Sequence, residues 1–226
     1  MTRARASRTA ALLIAASAVS CSTWAAGGHH GVDDATILPQ GECEQETWFT
    51  RQVGGDRLLH AGFNCRVGPV ELGIAAEHPR AVADSGTGWN AEAKWAAEVA
   101  AGVSVGIDLQ PVWQPGQRPR FVGTRAVAIA TWVARPELAL HLNVGRDFLR
   151  SATNVPRHGV GADWTPLERW TFTAERYLQD RTQQLRAGVR WEAGRLWKVD
   201  FSRAQRLHGP APSNWTIGLT LDFGEE

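Results

Sequence analysis

The sequence predicts an all-β fold, a transmembrane antiparallel up-and-down β-barrel of about 12 strands (roughly 10 to 14). Three observations lead to this prediction. Apolar and polar side chains alternate in successive segments of about 8 to 12 residues separated by turn residues, as strands with two different faces require. No later stretch holds about 20 consecutive apolar residues, so a closed barrel is the remaining way to span a membrane. The chain also has 11 tryptophans against one tyrosine.

Residues 1–25 have the composition of a secretory signal peptide. Three arginines precede an alanine-rich apolar run over residues 10–19, and small residues follow it. We predict cleavage after Ala25, with Ala26 as the second choice. The alternative is a lipoprotein motif in which Cys21 is acylated.

The first five predicted strands have two clearly different faces. They comprise residues 42–52, 57–67, 70–77, 89–99 and 101–110. A loop centred on Gly54 joins the first two. Strands three and five set Val, Leu and Ile against Glu, Gly, Ser and Asp, whereas strand four sets alanines and Trp95 against Glu92 and Lys94. One face of each is expected to contact lipid and the other to face a lumen.

The middle strands are less regular, and they comprise residues 120–135, 138–146 and 159–165. Strand six has apolar residues on both faces, because Val127 and Ile129 lie opposite Trp132. It either carries a bulge or faces a filled interior. Strand seven alternates leucines with His141 and Asn143, and strand eight has the weakest pattern.

The last four predicted strands comprise residues 170–178, 185–192, 197–202 and 214–223. In strands nine to eleven, Trp, Phe, Leu and Val alternate with Arg, Glu, Asp and Thr. If the amino terminus starts in the periplasm, connections after even strands are tight and those after odd strands include the longer ones, as outer-membrane barrels require. Tryptophans near strand ends are the candidate interface girdles: Trp48, Trp89, Trp113, Trp132, Trp164, Trp170, Trp191, Trp197 and Trp215.

The closing strand carries a recognisable motif. Five large apolar residues share the face predicted to contact lipid: Trp215, Ile217, Leu219, Leu221 and Phe223. The stretch resembles the C-terminal β-signal of bacterial outer-membrane barrels, whose polar, glycine, hydrophobic and aromatic places are filled by Thr216, Gly218, Leu221 and Phe223. The resemblance implies an outer-membrane barrel that the barrel-insertion machinery recognises through this strand. The tail 224–226 departs from the family ending. We assign residues 41–226 to one barrel domain.

Two cysteines, Cys43 and Cys65, remain after signal cleavage, in an oxidising compartment where disulfides persist. They are symmetric about Gly54, so a three-residue loop, 53–55, places them opposite each other at the far end of the first hairpin. A two-residue turn displaces them by one position. We predict a structural disulfide on the strand that must meet the closing strand.

Residues 26–40 are predicted to be a flexible periplasmic segment. Within it, His29, His30, Asp33 and Asp34 are candidate ligands for copper, nickel or zinc. If the mature chain begins Gly-Gly-His, it resembles the amino-terminal copper and nickel motif. The alternative is a polar lead-in to the first strand.

Charged side chains of both signs lie on the inward faces. The lumen candidates are Glu92, Lys94, Asp108, Arg125, His141, Arg186, Arg190 and Lys198. Twelve strands lie between a filled barrel and an open channel, so a small pore and a plugged barrel are both open. A net charge of +1 and the lack of a basic stripe argue against nucleic acid as a partner.

These patterns favour a monomeric outer-membrane barrel acting as a narrow pore, or as an uptake or efflux component, for a small solute, with a metal link as one version. No spacing ties a serine, a histidine and a carboxylate together, so we do not expect an enzyme, with an outer-membrane hydrolase as the alternative. Two other classes stay open. One is a non-transporting barrel that supports the envelope or docks a periplasmic partner, and the other is a soluble periplasmic β-barrel or sandwich that binds a ligand.

Overall fold

The computed structural model describes residues 29–80 and 86–224. Twelve strands form one closed antiparallel barrel in which each strand pairs with its sequence neighbours and the first pairs with the last. The predicted fold class and strand number are confirmed. The described residues include no helix long and apolar enough to cross a membrane. The predicted signal peptide, its cleavage sites, the Cys21 alternative and the start of the copper motif lie outside the described residues.

The strands are β1 (Cys43–Gln52), β2 (Arg57–Val67), β3 (Val70–Arg80), β4 (Gly88–Ala100), β5 (Val103–Trp113), β6 (Phe121–Arg135), β7 (Leu138–Leu149), β8 (Val155–Leu167), β9 (Trp170–Gln179), β10 (Thr182–Glu192), β11 (Trp197–His208) and β12 (Asn214–Phe223). Eight of the twelve strands extend beyond the predicted bounds at one end or at both. The largest extensions, six residues each, are in β8 and β11. The inward residues of β8 include Gly159 and Gly161, so the contrast between its two faces is weak in the sequence.

The two ends of the barrel differ in their connections. The end that carries both Cys43 and Phe223, here called the turn end, has connections at 68–69, 101–102, 136–137, 168–169 and 193–196. The opposite end, the loop end, has connections at 53–56, 81–87, 114–120, 150–154, 180–181 and 209–213. The longer connections therefore all lie at the loop end, although 180–181 there is tight.

The outside of the barrel is apolar. Ile74 on β3, Val144 on β7 and Ile217 on β12 are 63%, 57% and 53% exposed. Eight of the nine candidate girdle tryptophans are exposed on this face. Trp89, Trp113 and Trp215 lie near the loop end, and the other five lie near the turn end, as two interfacial belts require.

Trp48 differs from the girdle prediction. Its side chain lies inside the barrel, where its ring stacks on that of His60 at a centroid distance of 3.4 Å. The reason is parity, because Trp48 lies on the same face of β1 as Glu44 and Glu46, both of which are buried in the lumen.

The closing strand alternates as its sequence does. Trp215, Ile217 and Phe223 are exposed on the outside, Leu219 and Leu221 are half-buried, and Thr216 and Thr220 are buried inside.

The disulfide Cys43–Cys65 is present, with a Cα–Cα distance of 4.0 Å. The two cysteines lie directly opposite each other because the hairpin is centred on Gly54, whose φ of 114° suits glycine. Cys43 also pairs with Phe223, so the disulfide lies at the strand junction that closes the barrel.

Candidate functional site

Residues 29–41, here called the lumen segment, lie inside the barrel. The segment has no regular secondary structure, yet Val32, Asp34, Ala35 and Leu38 are all at least 95% buried. It contacts the wall in the order β11, β10, β9, β8, β7 and β6, and then crosses to β3 and β2 before β1 begins. The sequence predicts a flexible periplasmic segment over residues 26–40, whereas the structure places residues 29–40 inside the barrel. Local sequence cannot reveal this position, because it depends on contacts with strands about a hundred residues away or more.

Glu175 on β9 is the main anchor of the lumen segment. Its carboxylate accepts the backbone N–H of Gly31 at 3.0 Å and that of Val32 at 2.8 Å. Arg186 lies 3.4 Å from the same carboxylate and donates to the carbonyl of His29. A buried carboxylate needs donors and a countercharge, and the segment and β10 supply both.

Neutral side chains on β7 and β6 continue this pattern. Asn143 accepts from the N–H of Asp33 at 2.7 Å and donates to its carbonyl at 2.8 Å. Thr131 accepts from the N–H of Ala35 at 2.8 Å and also contacts the Nδ1 atom of His141 at 2.9 Å. The wall thus satisfies the backbone of an irregular segment that has no strand of its own to pair with.

Small and apolar wall residues receive the segment's side chains. Ala35 packs with Val127 and Ile129 of β6 in an apolar cluster inside the barrel. This cluster explains why both faces of β6 are apolar, because its inward face contacts the segment that fills the interior. β6 also has a register shift at its turn end. On β8, a Cβ atom at Gly159 would lie 2.5 Å from Val32, so this approach requires glycine.

The segment then crosses to the other side of the barrel. Asp34 lies 3.6 Å from the amine of Lys94 on β4. The N–H of Leu38 donates to Glu71 on β3 at 2.8 Å, and the Leu38 carbonyl accepts from Arg66 on β2 at 3.0 Å. Two walls can therefore be distinguished: the anchoring wall, formed by the lumen faces of β6–β11, and the passage wall, formed by the lumen faces of β1–β5.

A cavity of about 360 Å³ remains beside the lumen segment. Alternate residues along β1 line it: Glu44, Glu46, Trp48, Thr50 and Gln52. It therefore follows β1 over nearly its whole length. On β6–β10 its lining residues lie in the loop-end or middle part of each strand, such as Arg125 and Gln179. The cavity, here called the passage, is wide toward the loop end and runs along the passage wall toward the turn end.

The lining of the passage has more acidic than basic groups. The acids are Asp33, Glu44, Glu46, Glu71, Glu77, Glu92, Asp108 and Asp180, and the bases are Lys94, Arg125, Arg157 and Arg186. In a narrow, low-dielectric surrounding, ionised carboxylates in excess over bases favour cations over anions.

All eight lumen candidates lie inside the barrel, but they have different surroundings. Glu92, Lys94, Asp108, Arg125 and Arg186 line the passage. The other three lie in ion pairs of the wall, with His141 3.5 Å from Asp163, Arg190 2.8 Å from Asp200 and Lys198 2.8 Å from Asp222. Sequence reasoning missed Asn143 and Thr131 as anchors. The inward apolar pair on β6 was the one signal of a filled interior.

The four candidate metal ligands do not converge. His29 contacts the Ser202 hydroxyl at 2.6 Å, whereas His30 lies 3.8 Å from Glu175. Asp33 lines the passage, and Asp34 accepts from Thr36 and pairs with Lys94. Within residues 29–80 and 86–224, no group of three or more His, Cys, Asp or Glu side chains is arranged to hold a metal ion. These residues therefore do not fit a shared metal centre, and metal binding stays a prediction.

The closed barrel, its apolar outside and its polar lumen define a β-barrel of the transmembrane type. A family model described as Uncharacterised conserved protein UCP029691 matches residues 13–223, and the chain belongs to this family. No curated protein matches the chain.

Solved porins have a similar fold. KdgM porin has a TM-score of 0.68 at 11% identity, covering 80% of this chain and 99% of that chain. NanC porin has a TM-score of 0.60 at 9% identity, covering 80% and 100%. The toluene transporter TbuX of Ralstonia pickettii has a TM-score of 0.51 at 10% identity, covering 84% and 90%. At these identities the similarity concerns the fold.

Proposed function

We propose that the chain is a monomeric outer-membrane pore that conducts small solutes along the passage wall. The observation that carries this proposal is the passage itself, which follows β1 from Glu44 to Gln52 while the first part of the lumen segment, residues 29–35, is held against the opposite wall. A segment that served only to plug the barrel would have no need to leave such a path.

The fold and the outer surface support the same proposal. The exposed apolar belt and its two levels of tryptophan suit a lipid environment, and a soluble periplasmic domain would need to cover them. Structures similar in fold include a toluene transporter and a KdgM porin in complex with disordered oligogalacturonate. The closing strand is the part that the insertion machinery recognises in this proposal.

Planar-bilayer recording of the refolded mature protein tests the proposal. Discrete conductance steps are expected, and heat-modifiable migration on a detergent gel serves as the control that the barrel is folded. A folded barrel that never conducts would contradict the pore and favour the non-transporting alternative. Recovery of the protein from the soluble periplasm without detergent would contradict the membrane location.

The metal link is a separate proposal with its own test. Copper or zinc titration would compare the mature protein with the double variant His29→Ala/His30→Ala. Binding that disappears in the variant supports the link, whereas equal binding by both proteins, or by neither, contradicts it.

A further inference from the structure

Four carboxylates on the passage wall receive hydrogen bonds from neutral groups or from none. They are Glu44 and Glu46 on β1, Glu92 on β4 and Asp108 on β5, here called the acidic group. Asn64 donates to Glu44 at 3.3 Å, and Gln110 donates to Glu92 at 3.1 Å and to Asp108 at 2.9 Å. An amide donor stabilises a carboxylate without cancelling its charge, so the acidic group presents negative charge to the passage wherever its carboxylates are ionised.

Two oxygens of the acidic group have no hydrogen-bond partner among the described residues. Glu46 is 6% exposed, and its Oε1 atom is buried and unpartnered. Asp108 is 3% exposed, and its Oδ1 atom is likewise buried and unpartnered. Both side chains line the passage. Buried charged oxygens without a donor are costly, so their position at a cavity indicates a ligand that brings positive charge or donors.

Three of the four bases that line the passage are engaged with carboxylates outside the acidic group. Lys94 lies 3.6 Å from Asp34, and two arginines of the passage lie in ion pairs that belong to the anchoring wall. These pairs join Arg157 to Asp147 at 3.1 Å and Arg186 to Glu175 at 3.4 Å. None of the three partner carboxylates lines the passage. The positive charge of these three bases is therefore offset by carboxylates outside the passage, which leaves Arg125 as the base that faces the four carboxylates of the acidic group.

We propose that the acidic group binds small cations and makes the passage selective for cationic solutes. This inference rests on the proposed pore function and adds the class of solute that the pore conducts. Glu46 and Asp108 supply the unpartnered oxygens, while Glu44 and Glu92 add charge along the same wall. Arg125, which lies in the loop-end part of the passage, offsets only part of this charge for an entering anion.

The reversal potential of the refolded mature protein in a KCl gradient tests the inference. The wild-type chain is expected to pass K⁺ in preference to Cl⁻. Replacing Glu46→Gln and Glu92→Gln together removes two charges and keeps the side-chain shape. In a water-filled pore, each charge within about 4 Å of the permeant ion changes the permeability ratio about fivefold. The K⁺/Cl⁻ permeability ratio of the double variant should therefore be lower by at least that factor. Glu168→Gln, in an exposed turn, is the matched control and should leave the ratio unchanged.

The outcomes separate the inference from the proposed function. A channel that conducts but is unselective or prefers Cl⁻ overturns the inference and leaves the pore standing. A cation-selective channel whose ratio is unchanged in the double variant overturns the assignment to the acidic group. Folded protein that never conducts overturns both proposals.

Discussion

The anchoring wall and the passage wall are built from the same alternating strands, yet their inward side chains have different partners. On the anchoring wall, Glu175, Asn143 and Thr131 bond to the backbone of the lumen segment. On the passage wall, Glu92 and Asp108 bond to an amide side chain and face the cavity. A count of inward charges treats the two walls alike, whereas the partners of those charges distinguish the wall that holds the segment from the wall that faces the cavity.

The largest expected effect comes from removing the lumen segment. Deletion of residues 29–40 leaves β1 and the disulfide intact and opens the anchoring wall to solvent. Conductance should rise several-fold, because a twelve-stranded barrel lies between a filled barrel and a wide channel. Single-channel recording measures the change. Shortening the connection 114–120, which does not line the passage, is the control, and equal conductance in all three proteins would contradict the role of the segment.

The anchoring wall depends next on Glu175. Glu175→Ala removes the countercharge of Arg186 and the acceptor of two backbone N–H groups of the segment, at a cost of about 2 kcal/mol. We expect lower stability in urea and a noisier open-channel current as the segment leaves the wall. Glu175→Gln keeps one acceptor oxygen and should lose less. If the alanine variant matches wild type in both measurements, Glu175 is not the anchor.

The close approach of Val32 to β8 should have a smaller effect. Gly159→Ala places a methyl group 2.5 Å from Val32 and 2.9 Å from Tyr177, which costs about 1 kcal/mol or more of overpacking. The loss is measured by urea unfolding of the folded barrel in detergent. Adding Val32→Ala should recover part of it, and a double variant as unstable as the sum of the single variants would exclude direct contact.

The strands and their outward-facing sides could be predicted from the sequence, whereas most contacts inside the lumen could not. Alternation located β1–β12 because every strand has one lipid-facing side, and the symmetry of Cys43 and Cys65 about Gly54 gave their register. β6 was ambiguous because alternation separates two faces without showing which one is inside when both are apolar. The contact between Gly31 and Glu175 spans 144 residues and leaves no periodic trace in the chain.

In the proposed pore, solutes pass along the passage wall while the lumen segment covers the anchoring wall. Single cysteines test it directly, since Cys43 and Cys65 are held in a disulfide. Asn90→Cys lies on the passage, and Ile129→Cys lies beneath Ala35 of the segment. A cationic thiol reagent should reduce the current through the Asn90→Cys channel and leave that of Ile129→Cys unchanged unless residues 29–40 are deleted. Equal block of both channels, or block of Ile129→Cys alone, would contradict the account.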